Sequence, residues 1–237
     1  LFDNTYVDGT FDRIIEDRDI KRRNSGFNLN TGLEYFLTES SSLTASAFGR
    51  INDGRDLTIN NTTRFITEDI DSRTVRTEEE IEEETSYQVS LSYNNDIGND
   101  GQKLTADIQY SVDEEIKPIS ILEEGTFPER NIIASENINE IELQNEFLAQ
   151  VDYVLPIGDA QFEAGYRGNW ETTDTDFSLE ELNTETGELV ENVGLTNRFV
   201  FDQIIQAVYT QYGNKYGKFS YLLGLRLENT RLRGDVT

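Results

Sequence analysis

The chain has 237 residues, of which 46 are acidic and 20 are basic, so its formal net charge is −26. This balance argues against nucleic acid as a partner, because proteins that bind phosphates need clustered lysines and arginines. The absence of cysteine and histidine excludes disulfides and thiolate sites and removes the commonest general base and metal ligand. The length allows one all-β domain or two smaller ones.

Apolar side chains recur at every second position along most of the chain, which is the period of a half-buried β-strand. Residues 1–16, with Tyr6 and Val7, have weak phasing and predict an incomplete first strand. Seven clear windows follow, at the alternate positions of 27–37, 43–51, 87–93, 104–112, 147–155, 162–170 and 219–227. None of these positions is charged, although charged residues make up 28% of the chain. The strands therefore have one uncharged face and one polar face.

One further series is less regular. Its members are Phe199, Phe201, Ile205, Ala207 and Tyr209. Gln203 interrupts this series, and we expect a β-bulge there.

Two kinds of connection separate the predicted strands. Short segments rich in turn formers lie at 38–42, 94–101, 156–160 and 213–217, and long polar stretches, expected to be loops, lie at about 17–25, 67–80, 116–140 and 174–195. Short and long connections alternate strictly if residues 57–65 continue the strand that starts at Leu43, with 52–56 as a bulge. The hairpin formed by this strand and the next one would extend well past the windows with uncharged alternate positions. Short turns at one rim and long loops at the other are typical of outer-membrane barrels.

Aromatic side chains mark the rim with the short turns. They are Tyr35, Tyr93, Tyr153, Phe162, Tyr209, Phe219 and Tyr221. Rings at that depth are typical of the girdle at a membrane interface. The alternative is cross-strand aromatic packing at the end of a soluble β-sandwich.

Three segments carry a resemblance to a known family. They are GFNLNTGLEYFLTESSSLTASAFGR, YQVSLSYNNDIGNDGQKLTADIQYS and GKFSYLLGLRLENTRLRG. They resemble the outer-membrane β-barrel family of TonB-dependent receptors common in Bacteroidetes, and the likeness runs from about residue 25 to the end. The resemblance implies a barrel of about 22 strands preceded by an N-terminal plug. We expect an all-β fold, an antiparallel up-and-down meander of about nine strands, with residues 1–237 forming part of a transmembrane barrel wall without the plug domain.

Several acidic groups are candidate sites. The run at 78–84 could attract a cation or a basic ligand, or it could be a solvated loop. Residues 94–101, with Asp96 and Asp100, have the composition of a calcium loop but lack its ligand spacing, and we interpret them as a tight turn. Adjacent carboxylates could indicate a glycosidase, but neighbours on a strand point to opposite faces. These pairs are Glu114/Glu115, Glu123/Glu124 and Glu180/Glu181.

Trp170, the only tryptophan, lies on the uncharged face, where it would anchor at the outer interface of the bilayer or serve as a platform for sugars. Polar residues on the other face would line the barrel lumen and touch water or the plug. They include Glu163, Arg167, Asn169, Asp107 and Gln109.

We therefore expect a segment of an outer-membrane receptor that imports a large nutrient, with no catalytic, cofactor or metal residues and with unknown ligand contacts. The partners implied are outer-membrane lipid, the TonB complex through the missing plug, and an iron chelate, cobalamin, glycan or peptide. Three alternatives remain: a soluble or surface-attached β-sandwich for binding or adhesion, a passive porin or assembly barrel, and, least favoured, an enzyme.

Overall fold

The structure, a computed structural model, describes residues 2–5, 11–98 and 100–237. Ten strands form one antiparallel sheet: β1 (Phe2–Thr5), β2 (Arg13–Thr38), β3 (Ser41–Ile66), β4 (Asp69–Ile97), β5 (Gln102–Phe127), β6 (Asn131–Ile157), β7 (Ala160–Leu182), β8 (Leu189–Glu191), β9 (Asn197–Tyr216) and β10 (Phe219–Val236). Their spatial order follows the chain, except that the short β8 pairs with β7 beside the main path. The fold is an open up-and-down meander, as predicted, because β1 and β10 do not pair with each other within the described sheet.

The sheet is a single layer. Contacts between elements join strands that are neighbours in this one sheet, so the described residues contain no second sheet of the kind that a sandwich needs. The surface area is 16171 Å², whereas a compact soluble protein of 27.1 kDa exposes about 11,000 Å². No described helix is long and apolar enough to cross a membrane.

Cross-strand register collects the uncharged side chains on one face. Ala47, Val89, Tyr110, Phe147 and Trp170 form one continuous row across β3 to β7. We call the face that carries this row the outward face and the opposite face the inward face. Such alignment is expected, since a slip of one residue would move every side chain of a strand to the wrong face.

The two faces differ in burial. Tyr87 and Val89 on the outward face are 58% and 55% exposed, whereas the inward Ser86, Ser111 and Ala207 are 5%, 8% and 2% exposed. Side chains on the concave side of a curved sheet shield one another, so the inward face is the concave one. Polar groups are thus crowded inside and large apolar groups are exposed outside, which inverts the arrangement of a soluble protein.

The face predicted for the apolar series of β9 was wrong. The register pairs Phe219 with Tyr216 and Tyr166 with Val208, so the even positions of β9 lie outward. The predicted odd series, with Ala207 and Tyr209, lies inward. Both faces of this strand carry apolar residues, so alternation alone did not distinguish them. Counting back from Phe219 across the two-residue turn would have given the correct phase.

Most positions predicted as long loops are strands. Residues 17–25 lie within β2, and the stretches near 67–80, 116–140 and 174–195 mostly belong to β4, β5, β6 and β7. The connections at this end are 67–68, 128–130 and 183–196, the last containing β8. These parts of the strands lie beyond the windows with uncharged alternate positions, and both of their faces are polar. The sequence there has no apolar alternation that would predict a strand, although backbone pairing still forms one.

The short connections and the long hairpin were predicted correctly. Turns at 39–40, 158–159 and 217–218 and the connection from Ile97 to Gln102 lie at one end of the sheet, and β3 runs without a break from Ser41 to Ile66. Its hairpin with β4 extends fifteen residue pairs past Ile51, to Ile66 opposite Asp69, which is about 50 Å of strand.

Three local predictions need correction or restriction. Pairing is continuous through 52–56 and around Gln203, so these positions are not bulges. A register shift occurs instead between β3 and β4, where Arg64 pairs with Ser72 and Phe65 with Ile70. The first predicted strand is divided between β1 and the start of β2, which pair through Phe2 and Glu16. The apolar pair Tyr6 and Val7 lies outside the described residues.

Candidate membrane surface and inner face

The uncharged outward positions form an oblique band. We define the apolar band as the seven windows predicted above together with outward positions 204–212 of β9. The band is centred on Ala47 in β3 and on Leu223 in β10, but the residue of β10 in the same row as Ala47 is Arg231, eight residues from Leu223. The band therefore crosses the strands at an angle.

This offset gives the strand tilt. Eight residues over the six steps from β3 to β10 correspond to a tilt of about 40°, at about 3.3 Å per residue and about 4.8 Å per strand. A nine-residue window such as 43–51 then has a height of about 23 Å, close to the apolar band of about 25 Å in membrane barrels, whose strands tilt by about 35–45°. The sheet thus has the geometry of a barrel wall in a bilayer.

Aromatic rings follow the same slope near the short turns. The outward face there carries six of the predicted girdle residues, and the structure adds Tyr212 and Tyr216. The rings of Tyr212 and Phe219 lie 6.3 and 6.2 Å from that of Tyr221. Tyr209 is the exception, because it lies on the inward face.

Trp170 lies at the opposite edge of the band, as predicted for an outer-interface anchor. Its ring centroid is 5.6 Å from that of Phe147. Both rings border a shallow cavity of about 480 Å³ that also includes Arg231 and Arg233. The lining of this cavity also contains the carboxylates of Glu146, Glu171 and Asp202, so the aromatic rings border charged groups of both signs, as expected where hydrocarbon meets water.

A polar cluster on the inward face connects β6, β7, β9 and β10. Tyr209 donates its hydroxyl hydrogen to Asp152, and Gln150 donates to Asp152 Oδ2 at 2.6 Å. The guanidinium of Arg226 lies 5.8 Å from the centre of the Tyr209 ring. Gly165 lies between Asp152 and Tyr209 in the same row, and its missing side chain lets Tyr209 reach across β7. The alternation pattern does not predict this cluster, because it places Tyr209 on the outward face.

The residues predicted to line the lumen do lie on the inward face. Glu163 accepts hydrogen bonds from Gln161 and Gln211 at 2.5 and 2.6 Å. Asn169 has a buried Oδ1 atom without a hydrogen-bond partner, while Asp107 and Gln109 face the same side on β5. Within the apolar band the inward face therefore carries many polar and charged side chains, which the outward face lacks.

The acidic run 78–84 is part of β4 rather than a loop. Glu79 pairs with Arg55, Glu84 pairs with Arg50, and Glu78 lies 3.7 Å from Arg76. The run is divided between the two faces, with Ile81 outward. No group of three or more carboxylates in the described part of the chain is placed to hold a metal ion.

The other acidic candidates are also separated by the strand geometry. Asp96 lies in β4 and Asp100 in the turn that follows. Glu114 points outward and Glu115 inward, where it contacts Lys117 at 2.5 Å. The pairs Glu123/Glu124 and Glu180/Glu181 lie near the far ends of β5 and β7. Adjacent carboxylates on opposite faces do not form the two-carboxylate site of a glycosidase.

Comparison with known proteins gives the family. The model of the Outer membrane protein beta-barrel family matches residues 95–237, more than half of the chain. The chain belongs to this family. It is therefore part of an outer-membrane β-barrel protein, and its location is the outer membrane. No curated protein matches the chain.

Three solved structures that resemble the chain are each less than 10% identical to it. BauA, the ferric preacinetobactin receptor from Acinetobacter baumannii, has a TM-score of 0.45 at 6% identity, covering 93% of this chain and 41% of BauA. FpvAI in complex with pyocin S2 has a TM-score of 0.44 at 9% identity, and the match covers 90% of this chain and 37% of the other chain. The ferric-catecholate import receptor Fiu from E. coli K12 has a TM-score of 0.41 at 8% identity, and the match covers 94% of this chain and 41% of Fiu. The chain thus spans about two fifths of the length of these receptors.

Proposed function

We propose that the chain forms part of the wall of a TonB-dependent receptor of the type common in Bacteroidetes, which imports a large nutrient across the outer membrane. The candidate nutrients are an iron chelate, cobalamin, a glycan or a peptide. In this proposal further strands close the barrel and a plug fills its lumen. The wall itself performs no covalent chemistry.

The observation that carries the proposal is the tilted apolar band on an open sheet. An exposed strand edge is not tolerated in hydrocarbon, so the ten strands of this sheet need further strands beside them. An open wall of ten strands suits part of a barrel of about 22 strands, the size of plugged outer-membrane transporters. Unpartnered polar atoms on the inward face, such as Asn169 Oδ1, support contact with water or a plug.

A measurement of ion conductance distinguishes the proposed receptor from a passive porin. The intact protein in a planar bilayer should show little ion conductance, because the plug closes the lumen, and it should bind the purified periplasmic domain of TonB. A large open-channel conductance without TonB binding would show a porin and contradict the proposal.

A further inference from the structure

The inward face becomes strongly acidic beyond the apolar band. Residues 74–86 of β4, 111–123 of β5 and 134–146 of β6 carry many inward carboxylates and only two inward cations, Arg76 and Lys117. The carboxylates are those of Glu78, Glu80, Glu82, Glu84, Asp113, Glu115, Glu123, Glu136, Glu140, Glu142 and Glu146. This surface lies at the end of the barrel opposite the short turns.

The pairing brings like charges together. Glu84, Glu115 and Glu142 lie in one row on three adjacent strands, an arrangement that destabilises a sheet. Lys117 contacts Glu115 at 2.5 Å. Hydrogen bonding to Glu115 and the nearby carboxylates of Glu82 and Glu140 raise the pKa of Lys117, so its positive charge is already paired within the wall. The excess negative charge therefore does not serve the stability of the wall.

A polar pocket of about 280 Å³ opens on the inward face at the edge of this surface. Its lining includes Asp113, Glu146, Gln109, Ser86 and Ser111. Arg50 also borders it, but its charge is engaged by Glu84. The pocket thus offers two carboxylates, the amides of Gln88 and Gln109 and two hydroxyl groups, and its carboxylates act only as hydrogen-bond acceptors.

Ser86 gives an independent indication of a ligand. The residue is 5% exposed and is one of those that line the pocket, and its buried Oγ atom has no hydrogen-bond partner. A buried hydroxyl without a partner is costly. Its position in the pocket indicates that the partner comes from a molecule that enters from the lumen.

We propose that this pocket binds a cationic group, an ammonium or a guanidinium, of the imported ligand. The inference rests on the proposed function for the idea of an imported ligand, and it narrows the ligand class to basic molecules such as a lysine- or arginine-containing peptide. Carboxylates form their strongest hydrogen bonds with such donors. The acidic surface attracts cations toward the pocket and repels anionic chelates.

The test uses trilysine as the probe and the intact protein in a neutral detergent. Calorimetry should detect binding of trilysine, a loss of affinity at high salt, and no binding of trilysine with acetylated side chains. Asp113→Asn/Glu146→Gln should weaken trilysine binding by at least about tenfold. The control Glu83→Gln/Glu114→Gln removes the same charge from the outward face of β4 and β5 and should bind like the wild type. Equal affinity of the two double variants, or equal binding of the acetylated peptide, would overturn the proposal.

Ser86→Ala separates a ligand contact from a structural role. Because Ser86 Oγ makes no hydrogen bond within the protein, its removal should leave the free energy of unfolding unchanged or higher. The same variant should weaken trilysine binding by roughly threefold or more. Unchanged binding would exclude Ser86 from the site, and a large loss of stability would show that its hydroxyl is already satisfied.

The two proposals can fail separately. If Asp113→Asn/Glu146→Gln keeps wild-type affinity for trilysine while the intact protein has a closed lumen and binds TonB, the pocket is wrong and the receptor function remains. If trilysine binding depends on Asp113 and Glu146 but the protein is an open channel, the pocket remains and import through TonB is wrong.

Discussion

Gly165 leaves the space that the side chains of Asp152 and Tyr209 occupy. A Cβ atom added at Gly165 would lie 2.5 Å from Asp152 Oδ1 and closer still to Tyr209 Cζ. Gly165→Ala should therefore displace Tyr209 from Asp152 and lower the free energy of unfolding of the intact protein by about 1–3 kcal/mol, measured by urea titration in detergent. Gly224→Ala is the matched control on the inward face of β10, since its Cβ would meet Gln211 Cβ at 3.6 Å, an ordinary contact. A loss of stability no larger than that of the control would contradict this role for Gly165.

Asp174 and Arg198 form an ion pair on β7 and β9 beyond the apolar band. Arg198 Nε donates to Asp174 Oδ1 at 2.7 Å, and its Nη2 donates to Oδ2. The hydrogen bonds from Arg198 lower the pKa of Asp174, so the pair stabilises the strands fully above the ordinary pKa of an aspartate, about 4, and the contribution is lost as the pH falls through the lowered pKa. Hydrogen exchange of the Arg198 amide, corrected for its intrinsic rate, should accelerate below about pH 4. Asp174→Asn should exchange faster at neutral pH and lose this pH dependence; a variant that keeps it would contradict the assignment to this pair.

At the scale of elements, the turn between β3 and β4 holds two residues in unfavourable conformations. Thr67 and Glu68 have φ angles of 50° and 69°, and a β-branched residue rarely adopts a positive φ. Two-residue hairpin turns with this geometry prefer Asn-Gly. Thr67→Asn/Glu68→Gly should stabilise the hairpin by about 1 kcal/mol, detected as slower hydrogen exchange at the tip. The same Asn-Gly pair at Glu39 and Ser40, where φ is not positive, should give no gain, and equal effects at both turns would contradict the explanation.

The predictability of each strand follows from its surroundings. Within the band, one face of β5 contacts a different medium from the other, so Leu104 to Val112 alternate and the strand was predicted from the sequence. Beyond the band both faces are polar, and residues 116–127 gave no strand signal although they pair with β4 and β6. In β9, Ala207 and Tyr209 are apolar on the inward side because they pack within a crowded concave face, so the more continuous apolar series marked the wrong face.

At the scale of the whole molecule, the sequence and the register give one consistent geometry. The apolar windows come from the sequence, and the row in which each window lies comes from strand pairing. Together they produce a band whose overall slope from β3 to β10 matches the tilt of strands in a membrane barrel. The polar cluster around Tyr209 and the acidic pocket could not be predicted in this way. Both depend on which residues of different strands share a row, which the alternation of a single strand does not reveal.

The central claim is that the outward face contacts lipid and the inward face contacts water or protein. It is tested most directly by nitroxide labels on single cysteines at 205–210 of β9 in the intact protein, with any other cysteines removed. Collision rates with oxygen, which concentrates in lipid, and with a water-soluble nickel complex are then measured. We predict greater oxygen access at 206, 208 and 210 and none of this enrichment at 205, 207 and 209. Oxygen enrichment at the odd positions, or equal access along the strand, would contradict the account.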